Sequence, residues 1–196
     1  MPTDISKDDI RALKEGRDGA MAELVNSHTQ TLLAVSFAMG FSQADAEELA
    51  QETFAAFLSA LDRFEGRSQI KTYLVGILYN KAADFRRKSY REESLDKIQD
   101  DFEKRFNESG LWSRPPLGPE ESVLTGEIKE LIAQCAEGLT LSQKTAFFLR
   151  ESEGESSEDI CNILGVSYTN LRVLLYRARI KLRECLEKKW ESGKHD

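Results

Sequence analysis

The chain has 196 residues, 40% of them hydrophobic and 31% charged, with a formal net charge of −7. That length accommodates one large or two small domains, each able to bury a modest core. No run of 18 apolar residues occurs, which excludes a membrane-spanning helix, and the opening MPTDISKDDIRALK lacks the apolar stretch of a secretory signal.

Apolar residues recur at helical spacing nearly throughout, and the alternation of a half-buried strand is missing, so the expected fold class is all-α. A short first helix starts at Ser6, with Asp9 completing a capping box, and a second runs from about Gly19 to Met39 and stops at Gly40. Ser42 with Asp45 caps a third helix reaching about Phe64, on which Phe54, Phe57 and Leu58 are expected to be buried. A fourth extends from Ser68 to about Arg91, with Ile70, Tyr73, Leu74, Ile77, Leu78 and Phe85 on one face. Residues 92–118 change character: they are acidic at first, then rich in Gly, Pro and Ser around Trp112, and Pro115-Pro116 cannot continue a helix. The expected organisation is two helical domains, 1–91 and 119–196, joined by a flexible linker. A tether of that length spans roughly 90 Å when stretched and roughly 30 Å as a coil. The second domain opens near Pro119, its first helix ends near Gly138, and Thr140 with Gln143 starts the next.

The segment 156–183 is the most specific of the chain. Ser156 with Asp159, and Ser167 with Asn170, give two helix starts, and Gly165 lies between them where the turn favours a residue without a Cβ. Ile160, Leu164, Val166, Leu171 and Leu174 supply an apolar wedge, and Cys161 a close approach. This is helix-turn-helix spacing, whose second helix would enter a DNA major groove; an ordinary helical hairpin with a solvated basic face is the plainer reading. Tyr168, Thr169, Asn170, Arg172, Val173 and Tyr176 fall on the early turns of that second helix. Asn can pair bidentately with adenine, Arg with guanine, and Val or Thr methyls can meet a thymine methyl. Arg177 and Arg179 follow a turn later, where phosphate contact fits better, and Arg172 is the leading candidate for a base contact. Leu174, Leu175, Ala178 and Leu182 should face the core.

The negative net charge is segregated. Residues 71–91 hold six Lys and Arg against Asp84 alone, and residues 168–190 hold seven against Glu184 and Glu187. Acid concentrates at 45–52, 92–108, 120–130 and 151–159. Two basic tracts on an acidic body imply two nucleic-acid contacts and a protein partner. Cys135, Cys161 and Cys185 make an odd count with no paired spacing, so buried, reduced thiols are expected, with a redox sensor as the minor alternative. The two histidines, His28 and His195, assemble no triad or metal cluster, and no phosphate-cradling glycine loop or CxxC is present. Neither an enzyme nor a bound cofactor or metal is expected.

The words DAEELAQETF (45–54), RFEGRSQIKTYLVGILYNKAADFRR (63–87), SEDICNILGVS (157–167) and LLYRARIKLRECL (174–186), in that order, resemble those of the extracytoplasmic-function sigma factors, the two-domain class of the sigma-70 family. The resemblance covers about residues 19–91 and 119–190. Departures include Tyr73 where the family usually has Trp, and Leu139-Thr140 where it has Leu-Pro. The resemblance implies a cytoplasmic protein that binds core RNA polymerase and promoter DNA, with no small-molecule substrate and no membrane insertion. It places Asp45, Glu48, Gln51 and Glu52, on adjacent turns, against the β′ clamp, and gives the C-terminal domain the β flap as its partner. It gives the 63–91 region the minus-ten element as melted single strand. There Phe64 and Tyr73 offer aromatic faces (or are simply core), Gly66, Ser68 and Asn80 hydrogen bonds, and Lys71, Lys81, Arg86, Arg87 and Arg91 positive charge. It gives the second helix of the helix-turn-helix the minus-thirty-five element as duplex. The linker words FNESGLWSRPP and the tail RECLEKKW resemble members encoded beside a zinc-binding anti-sigma protein. The competing class is a helix-turn-helix regulator that binds duplex DNA without polymerase; a protein-binding helical adaptor is a third.

Overall fold

The computed structural model describes residues 7–66, 68–90 and 126–192. Arg91 and the expected linker 92–118 lie outside them. Among the described residues the structure is helical throughout, with eight α-helices and one 3-10 turn and no strand. The order is α1 (Lys7–Lys14), α2 (Ala20–Met39), α3 (Gln43–Ala60), the 3-10 turn Leu61–Arg63, α4 (Ile70–Tyr90), α5 (Gly126–Ala136), α6 (Leu141–Glu151), α7 (Ser157–Leu164) and α8 (Tyr168–Ser192).

Local chemistry sets most of the boundaries. The Ser42 hydroxyl accepts from the Asp45 amide at the start of α3. Thr140 and Gln143 satisfy each other's backbone amides in a capping box that opens α6. Ser156 accepts from the Asp159 amide to start α7, and Ser167 from the Asn170 amide to start α8. Each side chain answers a donor that the first helical turn leaves unpaired. Gly40 ends α2 at φ 91 and Gly165 ends α7 at φ 64, both left-handed conformations in which a Cβ is strained. The third helix stops earlier than the sequence predicts: its last turn tightens into the 3-10 turn before Phe64, and α4 begins at Ile70 rather than Ser68.

The two halves share one core. Leu24, Leu32, Val35, Phe57, Leu74 and Leu78 of the N-terminal half join Leu149, Ile160, Leu171 and Leu175 of the C-terminal half in a continuous buried cluster. Helix α4 packs on α7 and α2 on α6. A smaller cluster of Cys135, Leu139, Ala178 and Leu182 holds α5 to α8. Two expectations are corrected here. Leu58, expected inside α3, is 37% exposed, because the buried stripe runs through Thr53, Phe54 and Phe57 instead. The thiols of Cys135 and Cys185 are not free but joined in a disulfide, which leaves Cys161 as the free cysteine.

Candidate nucleic-acid and polymerase interfaces

The helix-turn-helix forms as its sequence predicts. Ile160 and Leu171 are fully buried between α7 and α8, Gly165 makes the turn, and Val166 packs on the same core. Leu171, Leu174 and Leu175 turn toward the core, which leaves the other side of the early turns open. Tyr168 is 60% exposed, and Thr169, Asn170, Arg172, Val173 and Arg177 are exposed as well, while Tyr176 is half-buried. The structure therefore brings the early-turn candidates onto one open face. Arg179, a turn further on, is ion-paired with Glu151 at 2.7 Å. Leu174 is half-buried, and Leu175, Ala178 and Leu182 are buried, as expected.

The acidic row on α3 is also open. Glu48, Gln51 and Glu52 are exposed and Asp45 is half-buried at the cap, where the Ser42 hydroxyl donates to its carboxylate at 2.6 Å. Glu52 meets Lys81 of α4 at 2.9 Å, so that two candidates expected to serve different partners pair with each other.

The 63–91 region is arranged differently. Phe64 retains only 6% of its surface and lies in the aromatic cluster with Phe57 and Tyr73, its ring 4.8 Å from that of Tyr73. Of the two readings open for Phe64, its burial supports the core one: its ring closes the core beneath the loop, where burying a large apolar side chain gains more than exposure would. Gly66 and Asn80 are exposed, and Ser68 and Tyr73 half-buried. Ser68, Tyr73 and Asn80 share a cleft of about 260 Å³ with Thr72 and Gly76, but Asn162 and Ile163 of α7 form its opposite wall.

Polar contacts fasten this closure. The Lys71 ammonium lies 2.9 Å from Glu153 and 2.7 Å from Glu155, both in the loop between α6 and α7. Thr72 donates to Asp159 at 3.4 Å, and the Tyr79 hydroxyl sits 2.8 Å from that of Ser142. Burial works against the charged form of Lys71, yet its hydrogen bonds to Glu155 and Glu153 outweigh that penalty and raise its pKa above the ordinary 10.5. Arg86 donates to the Met39 carbonyl and stacks over Phe41, and Arg87 pairs with Asp84. Lys144 of α6, a basic residue where the resembling family usually has Arg nearby, is buried beside Gly40 and Arg86. Burial first, and then the Arg86 charge, lower its pKa, with Glu137 working the other way. The acidic run at 151–159 was visible in the sequence; that it answers Lys71 was not, because the two are brought together only by folding.

The comparisons with known proteins agree with this architecture. Residues 24–92 match the Sigma-70 region 2 family, and residues 129–182 match Sigma-70, region 4. A probable RNA polymerase sigma factor of Haemophilus influenzae is 34% identical over 176 residues, covering 85% of this chain and 89% of its own. An ECF RNA polymerase sigma-E factor of the same organism is 28% identical, covering 87% and 89%. Among solved structures, the sigma factor RpoE bound to the anti-sigma factor NepR from Bartonella quintana superposes with a TM-score of 0.63 at 24% identity, over 86% of this chain and 98% of that one. CnrH in complex with the cytosolic domain of CnrY gives 0.62 at 21% identity, over 92% and 96%. At those identities the structures support the fold alone. Fold and open helix-turn-helix together define an all-helical protein whose C-terminal half carries a helix-turn-helix. The chain belongs to the RNA polymerase sigma-70 family, in its extracytoplasmic-function class.

Proposed function

We propose that this chain binds core RNA polymerase and directs initiation at particular promoters, touching DNA at two places. The first turns of α8 read the minus-thirty-five element as duplex, with Arg172 on a base edge, Asn170, Thr169, Val173, Tyr168 and Tyr176 around it, and Arg177 and Arg179 on phosphates. The surface of α4 and the loop before it holds the minus-ten element as melted single strand, through Ser68, Tyr73, Asn80 and Gly66, with Lys71, Lys81, Arg86, Arg87 and Arg91 along the backbone. Asp45, Glu48, Gln51 and Glu52 dock on the basic β′ clamp, and the C-terminal domain on the β flap. The domains 1–91 and 119–196 act through the tether 92–118, which makes the second contact effectively intramolecular once the first is made.

The observation that carries this reading is the open face of α8 beside a turn fixed at Gly165, in a chain whose two halves match sigma regions 2 and 4 in order. In the packed arrangement, α7 covers the cleft of Ser68, Tyr73 and Asn80, so engagement of the melted strand requires α4 and α7 to part. The acidic Glu153 and Glu155 hold the place beside Lys71 that a phosphate would take. The RpoE structure is a complex with an anti-sigma factor, and a protein of that kind, of the zinc-binding sort that the resemblance implies, is the natural stabiliser of the packed form here.

Run-off transcription with core polymerase on the DNA upstream of this protein's own gene tests the proposal. Transcripts that appear only when the chain is added are the expected result. Duplex binding without transcripts would instead make it a helix-turn-helix regulator, and neither activity would leave an adaptor.

A further inference from the structure

Cys135 near the end of α5 and Cys185 in the second half of α8 are bridged across 50 residues of sequence, with their Cα atoms 5.7 Å apart. Helix α5 packs chiefly on α8, and outside the main core the two are held by the small cluster of Leu139, Ala178 and Leu182. The bridge is therefore a principal tie of α5. It also borders an open groove of about 460 Å³ lined by Gln134, Gly138, Lys181, Glu184, Lys188 and Lys189. Cys185 is the more accessible partner, half-buried where Cys135 retains 3% of its surface. Lys181, Lys188 and Lys189 bring cationic groups to the groove beside Cys185, and cations near a thiol favour its thiolate.

A polymerase-dependent factor works beside the chromosome, in a compartment that keeps thiols reduced, and disulfides there are transient and redox-sensing. That step rests on the proposed function. We propose that Cys135 and Cys185 are a reversible dithiol–disulfide couple, oxidised by hydroperoxides, that clamps α5 to α8. The Cys185 thiolate attacks a peroxide oxygen; the O–O bond breaks, leaving a sulfenic acid on Cys185 and releasing water once the leaving oxygen takes a proton. The Cys135 thiol then attacks that sulfur, the S–S bond forms, and the sulfenic oxygen departs as a second water. Two thiols lose two electrons and one hydrogen peroxide gains them. A dithiol or glutathione-type reductant reverses the bridge by thiol–disulfide exchange.

The test takes the full chain through glutathione buffers of graded composition, followed by acid quench, iodoacetamide and peptide mass mapping. Cys135 and Cys185 should pass together from alkylated to bridged as the buffer becomes more oxidising, while Cys161 stays alkylatable. One equivalent of hydrogen peroxide should close the bridge in the reduced protein. In Cys135→Ser the reaction should stop at a dimedone-reactive sulfenic acid on Cys185. Reduction should also lower the melting transition by about 10 °C and abolish amide-exchange protection in α5 before that of α6–α8. A bridge that never opens in reducing buffer, one that never closes in oxidising buffer, or closure through Cys161 would each overturn the proposal. None of these readouts uses DNA or polymerase, so a failed run-off assay would sink the proposed function and leave the couple standing, and the converse holds too.

Discussion

Along α4 the cations Lys71, Lys81, Arg86 and Arg87 turn to anions and carbonyls of the chain itself, whereas at the start of α8 the polar side chains face outward. Lys71 is held by Glu153 and Glu155, Lys81 by Glu52, Arg87 by Asp84, and Arg86 by a carbonyl and the Phe41 ring. On α8, Thr169, Asn170, Arg172 and Val173 are exposed, and ion pairing reaches Arg179 further along. The two tracts have nearly the same charge in sequence. Counting charge thus measures what is available, while folding decides which anion takes it. The ion pairs also differ in worth. Arg87–Asp84 is largely exposed and Lys81–Glu52 has an exposed carboxylate, so each contributes roughly 0–1 kcal/mol and a phosphate can replace it readily. Lys71, whose side chain is 24% exposed, sits between two carboxylates that are more deeply buried still, and it is the contact that a competing DNA strand would have to break.

The contrast is first tested by asking whether the covered surface belongs to one cooperative unit. Ile160 is fully buried in the core that both halves share. Ile160→Ala should destabilise the protein by about 2–5 kcal/mol, read by urea unfolding, and should lower amide-exchange protection in α2–α4 along with α6–α8. If α2–α4 keep their protection, the halves fold independently and the closure is only contact. Next in size, Arg172→Ala should weaken duplex promoter binding by about 1–3 kcal/mol in fluorescence anisotropy and relax preference at one base. An equal loss on scrambled duplex would assign Arg172 to phosphate and remove the distinction drawn for α8.

Most of what local chemistry governs was legible before the fold. Ser42, Thr140, Ser156 and Ser167 cap the predicted helices because a cap involves residues three apart. Gly40 and Gly165 end helices for an equally local reason. The open face of α8 followed from helical periodicity. Leu58 falls outside the core because the buried stripe of α3 runs through Thr53, Phe54 and Phe57, and which of two adjoining faces is covered depends on what packs against the helix. The Cys135–Cys185 bridge and the Lys71 pairs were not legible: they join residues 50 and more than 80 apart, and sequence spacing carries no record of such distances. The packing of α4 on α7 was hidden for the same reason, since a long tether between two domains is compatible with any docking.

Release of the covered surface gives the next test. Glu153→Gln combined with Glu155→Gln removes the anions beside Lys71, which should weaken the closure by about 1 kcal/mol and tighten single-stranded minus-ten binding about 5-fold. Unchanged affinity would mean that these carboxylates do not compete with the strand. A smaller effect is expected at Gly76, within α4, where an added Cβ would meet the Ile163 Cα at 4.0 Å, an ordinary contact. Gly76→Ala should therefore stabilise the protein by about 0.5–1 kcal/mol, visible as a higher melting temperature. Destabilisation instead would show that α4 and α7 lie closer than this.

The smallest effect separates half-buried Lys71 from buried Lys144 by their opposite pH dependence. The Lys71 pKa is raised above 10.5, because its hydrogen bonds to Glu155 and Glu153 overcome the penalty of burial. Its contribution is fully present below 10.5 and is lost as pH climbs through the raised folded value. The Lys144 pKa is lowered below 10.5 by burial and by Arg86. The unfolded chain then binds more protons between the lowered value and 10.5, so stability rises with pH across that window. Wild-type stability should accordingly carry a rising component just below 10.5 and a falling one above it. In chemical denaturation at graded alkaline pH, Lys144→Met should erase the rise and Lys71→Met the fall. If Lys71→Met leaves the fall in place, the loop carboxylates do not hold that ammonium in solution, and Lys71 is as open to DNA as Arg172 at the start of α8.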